Sequence, residues 1–286
     1  MNNPVMIYDL RFTTYNFKIV LRKSYFVIFL LLLPFAAVAQ STTRTDGTST
    51  TPVKSAKTKV LVIPWEPRMF NCSSDISRAI NSETGQKYPQ MQEALRKGMV
   101  DQLKKAFGPT CTVTSLIDDT AKMNKDLHYV YTCTSMSYTP VNFPLNPTKA
   151  DSAKLKQQKG VQKGQIQAEE PEVEKFMNTI VLSPNLLGYL KKKYGADYVV
   201  FINEMDMDND LAGDPYNLSG KQDFNRIATA HWTIFNTNDG KRVAMGKTKS
   251  TFTSTTNSPK KIIDGAFSSI ASQMYSKFTV GIKPKQ

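Results

Sequence analysis

Apolar and polar positions follow two periods along the chain, and they succeed one another most sharply between residues 186 and 253. Leu186, Leu187, Leu190 and Tyr194 form an apolar stripe on a Lys-rich helix that Gly195 is placed to stop. Tyr198-Val-Val-Phe-Ile202 follows, a continuous apolar run of the kind that is covered on both faces of a sheet. Arg226 to Phe235 is strand-like, Asn236 to Gly240 turns the chain, and Arg242 to Thr253 returns, which predicts a hairpin.

Upstream, Lys59 to Trp65 reads as a first core strand ended by Pro64 and Pro67, and Arg68 to Tyr88 as a polar loop. Pro89 suits a first helical turn, and Met91, Leu95, Met99, Leu103, Ala106 and Phe107 recur at helical spacing behind it. Cys111 to Ile117 alternates as a strand, so strand, helix and strand make a crossover unit. Asp118 to Tyr138 carries a helical stripe (Met123, Leu127, Val130, Tyr131) and also the Thr and Tyr content of a strand; the reading favours helix. From about 139 to 180, three opening prolines (Pro140, Pro144, Pro147), a Lys/Gln run and Glu169, Glu170, Glu172 and Glu174 predict a polar surface insertion. Ser183-Pro184 and Ser258-Pro259 are helix starts, the second opening a stripe from Ile262 to Phe278. The predicted fold is α/β, a three-layer-like mixed sheet of about four to five strands packed by amphipathic helices.

The first residues change the picture of where the protein works. Arg11, Lys18, Arg22 and Lys23 precede an apolar run from Tyr25 to Val38, and Ala37-Val-Ala39 has the form accepted by signal peptidase. The run is shorter than the about 20 residues needed to span a membrane, and it contains Pro34. We therefore expect a signal peptide over 1–39, cleaved between Ala39 and Gln40, a Ser/Thr-rich linker over 40–58, one domain over 59–280 and a tail over 281–286. Gln40, not Cys, stands directly after the cut, so no lipid anchor is expected, and no integral membrane segment is expected after cleavage. The net charge is +13, of which the leader supplies about +3 and the mature chain about +10. Such a surface admits an anionic cell-surface polymer as partner, with Lys154 to Lys163 as the contact, although lysines spread along the chain favour simple solubility. Nucleic acid is not expected, because no basic stripe carries interleaved aromatic residues.

Candidate chemistry is sparse. Cys72, Cys111 and Cys133 fit neither a zinc site nor a redox pair, leaving buried structural thiols or one disulfide of undetermined pairing. His128 and His231 are the only histidines; His231 shares a strand face with Thr229 and Thr233, where a hydrogen-bonded structural role is expected. There is no Gly-x-Ser-x-Gly elbow and no phosphate-binding loop. Asp206, Asp208 and Asp210 stand at positions 1, 3 and 5 of a calcium-loop register, but Leu211 and Asn217 hold places that call for Gly and Glu. With Asp214 these acids are the candidate metal ligands, calcium being the candidate ion, and Asp206 with Asp223 the candidate hydrolytic pair.

Three segments also carry a resemblance: Val60-Leu-Val-Ile-Pro64, Leu190 to Val200, and Trp232 to Gly246. Gly195-Ala196-Asp197 before a hydrophobic strand and Asp239-Gly240-Lys241 in a hairpin turn resemble the bacterial envelope superfamily that includes the N-terminal domain of TolB and the curli secretion protein CsgG. The resemblance covers about residues 59 to 280 apart from the insertion, and the absent lipobox cysteine departs from its lipoprotein members. It implies a non-enzymatic part of envelope assembly or secretion, bound to an envelope protein or to copies of itself, with no catalytic residue. The alternatives are a secreted metal-assisted hydrolase or calcium-binding protein using residues 204–214, and a polyanion-binding module.

Overall fold

A computed structural model of the chain describes residues 57–151, 174–210 and 224–282. The predicted leader, most of the linker, the Lys154 to Lys163 run, Asp214, Asp223 and the last four residues lie outside these.

The core is a mixed sheet built from β1 (Thr58–Ile63), β2 (Phe70–Cys72), β3 (Cys111–Ser115), β6 (Tyr198–Asn209), β7 (Asn225–Asn236) and β8 (Arg242–Thr253), in the order β3-β1-β6-β7-β8 with β2 also on β6. β1 runs parallel to β3 and β6, whereas β6, β7 and β8 are antiparallel to one another. β4 (Thr134–Pro140) and β5 (Lys175–Val181) form a separate antiparallel pair that lies against β6, β7 and β8.

Two apolar layers hold the sheet. On one face α2 (Tyr88–Phe107) packs with the final helix: α5 (Pro259–Ile262), a π-helical turn (Ile263–Phe267), then α6 (Ser268–Gly281). Met91, Leu95, Met99 and Leu103 of α2 meet Phe267, Ile270 and Met274 over Val200, Ile202, Ala230 and Trp232. On the other face α3 (Thr120–Thr132) and α4 (Leu186–Tyr194) cover Leu61, Ile63, Val199 and Phe201. The apolar run beginning at Tyr198 thus feeds both layers, as its lack of alternation predicts. Gly195 ends α4 at φ +67 and Gly240 turns the β7–β8 hairpin at φ +70, conformations that disfavour any residue with a Cβ.

The structure corrects several expectations. The expected loop from Arg68 to Tyr88 contains β2 and α1 (Ser74–Thr84). Only Ile76 and Ile80 mark that helix, and both are fully buried against α2 and the sheet. Asp118 to Tyr138 divides into helix and strand: the Asp119 carboxylate caps α3 by accepting from Lys122 N–H, and β4 follows. The expected surface insertion is shorter than 139–180, because β4 reaches Pro140 and β5 begins at Lys175, with Phe176, Met177, Asn178 and Thr179 buried. The central strand extends well past Ile202 to Asn209, and the strand total is six plus two rather than four to five. α4 begins at Leu186, not at the Ser183-Pro184 signal, which forms the turn before it. The cysteines are free thiols: Cys111 is buried, and burial together with Asp208 and Asp75 pushes the Cys72 thiol up to about 12. Among the described residues no helix is long and apolar enough to cross a membrane.

Candidate functional site

Six buried polar residues, Asn178, Thr179, Asn203, Glu204, His231 and Thr233, gather in the seam between the small sheet and the main sheet. β5 pairs with β4 along one edge, which leaves the N–H and C=O groups of Met177 and Thr179 on the other. Side chains of the main sheet satisfy all four. Met177 N–H donates to His231 Nδ1 at 2.7 Å, and Asn203 Nδ2 donates to Met177 C=O at 2.8 Å. Thr179 N–H donates to Thr233 Oγ1 at 3.3 Å, and Arg242 Nη2 donates to Thr179 C=O at 3.2 Å. The set closes on itself, since Thr233 Oγ1 also accepts from Asn203 Nδ2 and donates to Asn178 Oδ1, both at 2.9 Å. Asn203 Oδ1 takes the Thr179 hydroxyl, so no donor or acceptor of the Asn203 side chain is wasted.

A β-bulge makes this possible. The β6–β7 register shifts between Ile202 and Glu204, so Asn203 has no partner across the ladder. Ile202 and Met205 face the α2 layer, whereas Asn203 and Glu204 both bond toward β4 and β5. One extra residue turns two successive polar side chains into the seam.

Beyond the bulge lies a carboxylate pair. Glu204 accepts from Tyr138 Oη at 3.1 and 3.2 Å and from Asn71 Nδ2 at 3.1 Å. The same Asn71 amide donates to Asp206 Oδ1 at 2.8 Å. His231 stands between the acids, with Nδ1 3.5 Å from Glu204 and Nε2 3.2 Å from Asp206. Glu204 is 4% exposed, and burial, reinforced by the charge of Asp206, raises its pKa above the ordinary glutamate value. Burial and then the Glu204 charge push the Tyr138 hydroxyl up to about 12, keeping it a donor.

Ligand atoms of Glu204, Asp206 and His231 lie within 4.8 Å of one another, close enough to surround a cation. The hydrogen bonds assign the imidazole differently. Because Nδ1 accepts the Met177 N–H, a neutral ring carries its proton on Nε2, and that N–H points at Asp206. A metal-bound histidine donates through its second nitrogen, and here that nitrogen faces a donor. A cation in this seam would rest on the two carboxylates, with the imidazole outside its ligands. As it stands, both acids are held by side-chain donors, Glu204 by Tyr138 and Asn71 and Asp206 by Asn71.

Of the sequence-predicted ligands among the described residues, Asp206 alone joins this cluster. Asp208 Oδ1 accepts from the Ser73 hydroxyl at 2.6 Å, and Asp210 N–H donates to Asn225 C=O as the strand ends. Alternate strand residues stand about 6.8 Å apart along the chain, so Asp206 and Asp208 do not curl as a calcium loop does. Asp214 and Asp223 lie outside the described residues. Asn71, Tyr138 and Met177 were not singled out by the sequence. The usable signal was His231 on a face with Thr229 and Thr233, since a polar face in a buried hairpin must be covered by something polar.

No family model matches the chain, and no curated protein matches it. Among solved structures, the lipoprotein GNA1162 from Neisseria meningitidis is 10% identical, with 69% of this chain and 84% of that one covered at a TM-score of 0.27. The hypothetical protein CT253 from Chlamydia trachomatis is 9% identical, with 79% and 95% covered at a TM-score of 0.31. Likenesses of this degree carry no argument about function.

Proposed function

We propose that this is an exported envelope protein that acts by binding another envelope protein or copies of itself, and not by catalysis. The observation that carries the reading is the use of the seam: His231, Asn203 and Thr233, the polar side chains best placed for chemistry, are spent on holding the backbone of β5. A general base needs a free lone pair directed at substrate, and the His231 lone pair is directed at Met177 N–H. The leader ending at Ala39 and the resemblance of Gly195-Ala196-Asp197 and Asp239-Gly240-Lys241 to the TolB-like and CsgG-like superfamily support the envelope assignment. Crosslinking in the native envelope followed by mass spectrometry tests it. The expected result is a reproducible crosslinked neighbour or a homo-oligomer; recovery of a monomer without neighbours would contradict it.

A second reading is favoured by one observation, the proximity of Glu204 and Asp206, two acids of which one is buried. In that reading the carboxylates hold a hard cation such as calcium, as a binding protein or a metal-assisted hydrolase would. Calcium titration followed by thermal melting separates the two: the first reading predicts an unchanged melting temperature, the second a rise that Asp206→Asn abolishes.

A further inference from the structure

β8 is an edge of the main sheet, and α6 covers part of its outer side. Lys277 Nζ donates to Lys247 C=O at 3.4 Å, and Gln273 Nε2 donates to Lys249 C=O at 3.3 Å, so α6 covers edge carbonyls with its own side chains. What remains open is a shallow groove where β8, the start of β5 and α6 meet, and its charge is uneven. Lys247, Lys249 and Lys277 line it against one acid, Glu174. Glu174 Oε1 lies 2.7 Å from Lys247 Nζ and 3.4 Å from Lys249 Nζ, and the lysine hydrogen bonds hold its carboxyl below the ordinary glutamate value. The Lys247 side chain is only 17% exposed, whereas Glu174 is 56% exposed and enters from the solvent side. The Lys277 ammonium sits 5.5 Å from the Trp232 ring centroid and has no carboxylate partner among the described residues.

We infer that this groove binds an acidic peptide segment of a partner protein, and that Glu174 occupies one of its carboxylate positions in the free protein. The inference rests on the reading of this protein as a protein-binding one, and it names the partner's chemistry. A glutamate side chain already fits the two-lysine position, Lys277 supplies a further ammonium beside it, and Met245 and Val141 flank the groove with apolar surface for side-chain stems. At the groove the carbonyls of Lys247 and Lys249 are already taken by α6, so the groove offers a peptide its charge more than these two acceptors.

Fluorescence anisotropy of a labelled ten-residue oligoglutamate against residues 40–286 tests this, with oligoglutamine and polygalacturonate as comparison probes. Binding of oligoglutamate alone is expected, weakening at least tenfold between 50 and about 300 mM salt. K247Q/K249Q/K277Q is expected to weaken it at least tenfold, and K105Q/K125Q/K192Q, which removes three exposed lysines elsewhere, less than twofold. Glu174→Gln removes the internal competitor and is expected to tighten binding several-fold, which keeps the test independent of any misfolding in the lysine variant. Absence of oligoglutamate binding, equal losses in the two triple variants, or groove-dependent preference for polygalacturonate would overturn the inference. Crosslinked neighbours that persist in K247Q/K249Q/K277Q would overturn it too, and would leave the protein-binding reading intact.

Discussion

The backbone N–H of Met177 donates to Nδ1 of His231 at 2.7 Å, joining an edge of the small sheet to the face of the large one. Both residues are buried, so neither group has water as an alternative partner. His231→Ala leaves the Met177 N–H unsatisfied and is expected to cost about 1–3 kcal/mol in denaturant unfolding. The amide of Met177 should lose hydrogen-exchange protection well before the amides of β7 do, because the joint opens locally.

Asn203 bonds the same strand from the bulge, reaching Met177 C=O, Thr233 and Thr179. Asn203→Ala leaves Met177 C=O and the Thr179 hydroxyl without their partner and removes one of the bonds at Thr233 Oγ1, and it is expected to destabilise at least as much as His231→Ala. The double variant should cost less than the two losses added, since both side chains hold one strand edge. A double-mutant cycle by urea unfolding measures that coupling.

Much of this architecture was legible in the chain. The αL glycines Gly195 and Gly240, the α2 stripe and the doubly apolar strand at Tyr198 are local signals, and each lies where it was read. α1 was not legible, because Ile76 and Ile80 become an apolar face only when α2 and the sheet cover them. The seam was half legible. The alternation of Thr229, His231 and Thr233 marked a polar face, but the bulge at Asn203 depends on the pairing of β6 with β7, which lies outside any local window. β5 stayed hidden because only Lys175 separates Phe176 and Met177 from the acidic run that ends at Glu174.

The pH dependence of stability should have two limbs of opposite sign. Burial alone would raise the Asp126 carboxyl, but hydrogen bonds from Lys193, Tyr194 and Tyr189 hold it at about 2. That stabilisation is present above the ordinary aspartate value of 3.8 and is lost as pH falls toward 2. Glu204 is shifted the other way, so its contribution is greatest below the ordinary glutamate value of 4.5 and is lost as pH rises through its folded value. Melting temperatures across pH 2 to about 8 should show Asp126→Asn flattening the acid limb and Glu204→Gln flattening the limb above pH 4.5.

Gly98 lets α2 approach the π-helical turn, since a Cβ there would lie 2.3 Å from Ile263 Cδ1. Gly98→Ala is expected to destabilise by about 1–3 kcal/mol through overpacking, despite the better helix propensity of alanine. Ile263→Ala in the same chain should recover part of that loss. Thermal unfolding of the two variants checks both signs.

If the polar cluster around His231 is a structural joint, the nitrogen chemical shifts of its ring report it. A structural joint gives a ring protonated on Nε2, with a hydrogen bond into Nδ1 from Met177 and shifts unchanged by added calcium or zinc. A ring protonated on Nδ1, or one whose shifts move on addition of either ion, would contradict it.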